Sequence, residues 1–179
     1  SDECADRAEE INRLSRHPSR SNPVGRRRER RREHEIMIHI ESKFDFPTAL
    51  LERAARATLI HQKRSADADL SIVLTDDKRL QKLNRDYLGI DAPTDVLSFP
   101  ASESDPETGS PYLGDILISI PRAKAQAQAA GHPLESEAQL LVVHGALHLL
   151  GHDHAKANEK KKMWKAQAEI LESLGLGKI

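Results

Sequence analysis

From Ile36 onward, apolar positions switch between short runs and helical spacing, and the elements alternate accordingly. Ile36 to Ile40 reads as a first strand whose facing Met37, Ile38 and His39 leave ambiguous. Phe46-Pro47 opens a helix reaching Ile60, with Leu50, Leu51, Ala54, Ala57 and Leu59 expected on its buried side. The β-branched run Leu70 to Leu74 predicts a buried strand. Thr75 or Asp76 then caps a helix ending near Leu88, with Leu80, Leu83 and Tyr87 on one side. Val96 to Phe99 and Gly114 to Ile120 predict two more strands, separated by a polar loop from Ala101 to Pro111. Pro121 starts an alanine-rich helix that stops at Gly131. A helix from about Glu135 to Leu150 follows, and a charged one from Ala157 to Leu174 closes the chain. The expected fold is α+β, a small mixed four-stranded sheet packed with about five helices. The 135–150 helix is apolar nearly all round, which predicts a central, buried position.

That central helix carries the chemistry, in the stretch HGALHLLGHDH from His144 to His154. His144 and His148 stand four residues apart, so on a helix their imidazoles share one face. Gly151 supplies a left-handed residue to end the helix and turn the chain. His154 then swings back toward the first two. Three imidazoles converging from one side leave a fourth position open, the arrangement of a catalytic rather than a structural zinc. His152 competes for the third place, but a residue three beyond Gly151 has more reach than its immediate neighbour. The metal ligands expected are therefore His144, His148 and His154, holding one Zn2+ ion. Asp153 is either an acceptor for a ligand N–H or an ordinary turn aspartate.

The spacing H-x-x-x-H-x-x-G-x-x-H is shared with metzincin proteases, which place a glutamate general base directly after the first histidine. Gly145 occupies that position here. The ligand pattern is preserved while the peptidase base is absent, so the ion serves another reaction or another base.

Composition narrows the setting. Cys4 is the single cysteine, which excludes a disulfide framework and a thiolate metal site and suits a reducing cytosol. No run of eighteen apolar residues is present, so no membrane span is expected. Residues 1–35 hold ten Lys/Arg and eight Asp/Glu, with six arginines between Arg26 and Arg32. So few apolar residues cannot bury enough surface to order a chain, and this tail is expected to be disordered. It also lacks an apolar stretch suited to a signal peptide. Met37 opens the first strand-like segment, so whether the tail belongs to the natural product stays open. The remaining 17 Lys/Arg and 20 Asp/Glu give a net charge of −3, unlike a generic basic RNA binder. Local cationic groups exist, with Arg79, Lys82 and Arg85 on one helix, Arg122 and Lys124 on another, and Lys156 to Lys165 on a third.

A second motif is NRDYLGIDAPTDVLSFP from Asn84 to Pro100, paired with Leu113-Gly114-Asp115 at the next strand. Asp95 and Asp115 lie near strand ends that could approach the metal helix. Each either orients a ligand histidine or activates water, or it serves a structural hydrogen bond.

Together, PTDVLSFP, LGDILIS and HGALHLLGHDH make the chain resemble the YbeY family of bacterial endoribonucleases, from about Ile36 to Leu176. The resemblance implies a zinc-dependent endoribonuclease domain over 36–179, with one zinc on His144, His148 and His154. It also implies single-strand-specific cleavage, maturation of the 3′ end of 16S ribosomal RNA and ribosome quality control in the cytoplasm. The implied partners are the small ribosomal subunit and its assembly factors. Two positions depart from the pattern. Family members often carry arginine where Leu88 stands, and Arg85 one turn earlier is its possible substitute; tyrosine is common where His152 stands. On the residues alone two other readings stay open: a metal-dependent hydrolase of another substrate, and a ribosome-assembly factor with a structural zinc. No residue is assigned as general base.

Overall fold

The computed structural model describes residues 36–64, 68–101, 104 and 111–179. The arginine-rich segment 1–35 and most of the loop between 101 and 111 lie outside the described residues.

Strand β1 (Ile38–Ser42) begins two residues later than the apolar run suggests. Ile36 is a buried anchor ahead of the strand, Met37 is exposed, and the Met37 amide donates to Asp69 Oδ1 at 2.8 Å. The ladder then continues through the polar Glu41 and Ser42, because backbone pairing with Val73 and Leu74 places them there. Helix α1 (Thr48–His61) buries Leu51, Ala54, Ala55, Thr58 and Leu59. Leu50 and Ala57 flank that face half-buried rather than fully inside, and Ala55 and Thr58 take the interior places. The Thr58 hydroxyl is satisfied by donating to the Ala54 carbonyl at 2.9 Å.

Strand β2 (Asp69–Thr75) leads into α2 (Asp77–Leu88), whose N-terminus is capped by Asp76 accepting from the Arg79 amide. Strand β3 (Val96–Pro100) and β4 (Tyr112–Ser119) follow; β4 starts two residues earlier than expected, and Ile120 already belongs to α3 (Ile120–Ala130). Ser119 caps α3, with Pro121 in its first turn. Helices α4 (Leu134–Leu149) and α5 (Ala157–Ser173) complete the described chain.

The sheet order is β1-β2-β4-β3, with β1, β2 and β4 mutually parallel and β3 antiparallel at the edge. This is the mixed four-stranded sheet with five helices that the alternation predicted. Parallel pairing of β1 with β2 needs a crossover, which α1 supplies. The main core packs α1, α4 and α5 with β2 and β4, through Leu51, Leu59, Ile72, Ile116, Ile118, Leu147 and Ile170. A small cluster of Leu80, Leu97 and Leu117 lies under α2 on the other face. Helix α4 is the hub, packed against α1, α3, α5, β3 and β4. Burial nearly all round explains its apolar circumference. No helix among the described residues is long and apolar enough to cross a membrane.

Candidate metal centre

The C-terminal half of α4 brings His144 and His148 to one side, and the turn after it returns His154. Leu150 closes the helix, and Gly151 takes φ 90°, the left-handed conformation that lets the chain double back. One ring nitrogen from each of His144, His148 and His154 lies within 4.8 Å of the others. His144 and His148 are half-buried and His154 is exposed, so the cluster opens to solvent on the His154 side.

Hydrogen bonds decide which nitrogens are available. His148 Nδ1 lies 2.9 Å from the backbone carbonyl of His152, which can only accept, so Nδ1 carries the proton. His144 Nδ1 faces Gln167 Oε1 at 3.0 Å in the same sense. The Nε2 atoms of the two rings stand 3.1 Å apart with their lone pairs turned toward each other. Such an arrangement is repulsive unless a cation or a proton lies between them. A tetrahedral ion at about 2.0–2.1 Å from each nitrogen spaces its ligand atoms about 3.3 Å apart, which the His144–His148 pair matches, with His154 close enough to complete the set around one ion. Burial holds the His144 imidazole below its usual pKa, with His154 adding to the effect. Burial also lowers His148, followed by the proximity of His144 and His154. Both shifts favour the neutral ring, the form that binds metal.

The neighbouring candidates separate cleanly. His152 Nε2 is 2.7 Å from Gln62 Oε1, outside the cluster, so this ring is engaged elsewhere. Asp153 Oδ1 accepts from the His154 and Ala155 amides at 2.6 and 3.1 Å, making it a turn-forming aspartate. Those bonds hold its carboxyl below the ordinary range. Asp95 lies close enough to favour a protonated His144 electrostatically, but it hydrogen-bonds the Val96 amide and Gln126.

Asp115 takes the structural alternative. Past the irregularity at the start of β4, where the register shifts between Tyr112 and Gly114, the odd positions face α2 and the even positions face α4: Leu117 joins the Leu80 cluster, whereas Ile116 touches Gly145. Asp115 therefore lies on the sheet face away from the histidines, accepting from the Tyr112 hydroxyl at 2.7 Å. Burial raises its carboxyl pKa.

Gly145 leaves no room for a general base. A Cβ there would come within 2.8 Å of Ile116 Cγ2 and 3.1 Å of Ser98 Oγ. Leu88 is exposed at the end of α2, and Arg85 pairs with Asp86 at 3.4 Å.

Sequence reasoning missed Gln167 and Gln62. A glutamine on a charged amphipathic helix reads as solvated surface, and each lies far along the chain from the ring it serves. The one available signal is that Gln167 falls within the buried series Met163, Ala166 and Ile170 on α5.

Comparison with known proteins places this geometry. The family model described as Endoribonuclease YbeY matches residues 34–175. The chain is 46% identical over 135 residues to the endoribonuclease YbeY of Halalkalibacterium halodurans, covering 71% of this chain and 83% of that protein. It is 46% identical over 132 residues to the Pelotomaculum thermopropionicum protein of the same name, covering 72% and 87%. Among solved structures, it is similar to the solution structure of TM1509 from Thermotoga maritima. There the TM-score is 0.54 at 29% identity, covering 77% of this chain and 89% of that one.

Proposed function

This chain belongs to the YbeY endoribonuclease family, and from that premise we propose that residues 36–179 form a zinc-dependent endoribonuclease acting on single-stranded RNA. The observation that carries the metal part is the convergence of three histidine ring nitrogens within 4.8 Å. An all-imidazole set with an open side suits a catalytic zinc. His144, His148 and His154 are the proposed ligands. When bound, such an ion supplies Lewis-acid polarisation of a phosphoryl oxygen and lowers the pKa of water.

The chain's own residues do the rest. His144 and His148 stay neutral because they are buried, and their Nδ1 protons are held by fixed acceptors. Exposure of His154 leaves that side open to a large polymer. Gly145 withholds a carboxylate from the position where peptidases of this spacing place their base. The family supports RNA as substrate, and we propose processing of the 16S ribosomal RNA 3′ end on the small ribosomal subunit as the cellular role.

The test is cleavage of a labelled single-stranded RNA by wild type and by His148→Ala, with zinc assayed on the same samples. Loss of cleavage together with zinc supports the reading. Cleavage that persists in metal-free His148→Ala protein rejects it. Zinc bound without cleavage of free RNA, followed by cleavage when ribosomal particles are supplied, places the substrate on the particle.

A further inference from the structure

We propose that Gln167 on α5 and Gln62, just past the end of α1, are positioning residues that fix which nitrogen His144 and His148 present to the ion. The inference rests on the metal-centre reading above and extends it to residues outside the ligand motif.

An imidazole binds a metal through a nitrogen that carries no proton, so the partner of the other nitrogen selects the ligand atom. For His144 that partner is Gln167 Oε1, 3.0 Å from Nδ1. Gln167 is held half-buried on α5 between Ala166 and Ile170, both packed in the core. With its amide reversed, Gln167 would donate to Nδ1 and drive the proton onto Nε2, removing the lone pair that faces His148.

For His148 the partner is the His152 carbonyl, and a chain of side chains fixes that carbonyl's residue in place. His152 Nε2 donates to Gln62 Oε1 at 2.7 Å, and Gln62 Nε2 donates to His61 Nδ1 at 2.9 Å. His61 Nε2 in turn donates to Glu169 Oε2 at 2.9 Å. Every bond runs in the same direction and ends on a carboxylate that can only accept, so one tautomer satisfies the whole series. The chain ties the turn after α4 to the end of α1 and to α5. His152 is thereby a strut rather than a spare ligand.

The experiment is zinc titration of the full chain against a chromophoric chelator, with the visible spectrum of the cobalt(II) form and the melting temperature of the metal-free form recorded alongside. Gln167→Leu should weaken zinc binding about 10- to 100-fold and change the cobalt spectrum, without lowering the metal-free melting temperature. Gln167→Glu, which keeps an acceptor, should restore binding to within about threefold of wild type. Gln62→Leu should weaken binding in the same direction by a smaller factor. Leucine variants that bind zinc within about twofold of wild type overturn the proposal while leaving the metal centre intact. Weakened binding that tracks a lowered metal-free melting temperature and is not restored by Gln167→Glu assigns the glutamines to the fold and overturns it as well. A wild-type chain that takes no ion removes the metal reading and this inference together.

Discussion

Gly145 and Ile116 are in contact so close that a Cβ on the glycine would lie 2.8 Å from Ile116 Cγ2. The approach sets how deeply α4 beds against β3 and β4, and it lets the Ser98 hydroxyl donate to the Gly145 carbonyl at 3.2 Å. Alanine in a helix interior is intrinsically favoured over glycine by about 1 kcal/mol. Overpacking a tight core costs about 1–3 kcal/mol. Gly145→Ala is therefore expected to destabilise by up to about 2 kcal/mol, read as a lower urea midpoint with unchanged slope. Gly145→Glu, which would supply the peptidase base, is expected not to fold.

His154 is the proposed ligand with least structural duty. It is exposed and follows the turn, so His154→Ala is expected to keep metal-free stability within about 0.5 kcal/mol of wild type. Zinc affinity should fall by more than the roughly 10- to 100-fold typical of losing an outer partner. His152 cannot take its place while bonded to Gln62, so adding His152→Ala to this variant should leave the cobalt spectrum without a further ligand change. Spectra showing His152 replacing His154 would contradict the assignment.

The pH dependence contributed by Asp115 has a definite sign. Burial raises its carboxyl pKa in the folded chain, so the unfolded chain releases that proton first. The Asp115 contribution to folding stability therefore falls as pH rises from the unfolded value of about 3.9 through the raised folded value, and the penalty persists above it. Asp115→Asn retains an acceptor for the Tyr112 hydroxyl and removes the charge. It should melt higher than wild type at pH 7, with the gap closing toward pH 4 and below. An equal melting temperature at both ends would show that the carboxylate is fully compensated.

Leu88 is 59% exposed at the end of α2, so Leu88→Arg should be stability-neutral within about 0.5 kcal/mol. If RNA phosphate passes this helix end, the new guanidinium adds one contact. Binding should then tighten, and the salt dependence of log affinity should steepen by about 0.7. Fluorescence anisotropy of a labelled single strand across a salt series measures both.

Much of this site was readable from spacing because it lies on one continuous stretch. The i, i+4 pair His144 and His148 needs only helical geometry, and Gly151 announces the return that brings His154 into reach. Strand parity was not readable. Ile116, Leu117 and Ile118 are all apolar because both sheet faces are covered, so no alternation reveals that Asp115 points away from α4. The start of β1 was misplaced for a related reason, since Ile36 is buried without being paired in the sheet and Glu41 and Ser42 are paired without being apolar. Gln62 and Gln167 depend on tertiary contacts across 90 and 23 residues, which no local pattern encodes.

All three proposed ligand histidines fall between residues 144 and 154, so an ion bound there would close only a short loop of chain. Closing a short loop removes little freedom from an unfolded chain, and the core under α4 is assembled from α1, α5 and the sheet without it. Folding and metallation are thereby separable events: the chain can reach its final shape first and be charged, stripped or exchanged afterwards. On the proposed zinc dependence, metal supply would act as an on–off control of activity rather than as a condition for the fold's survival.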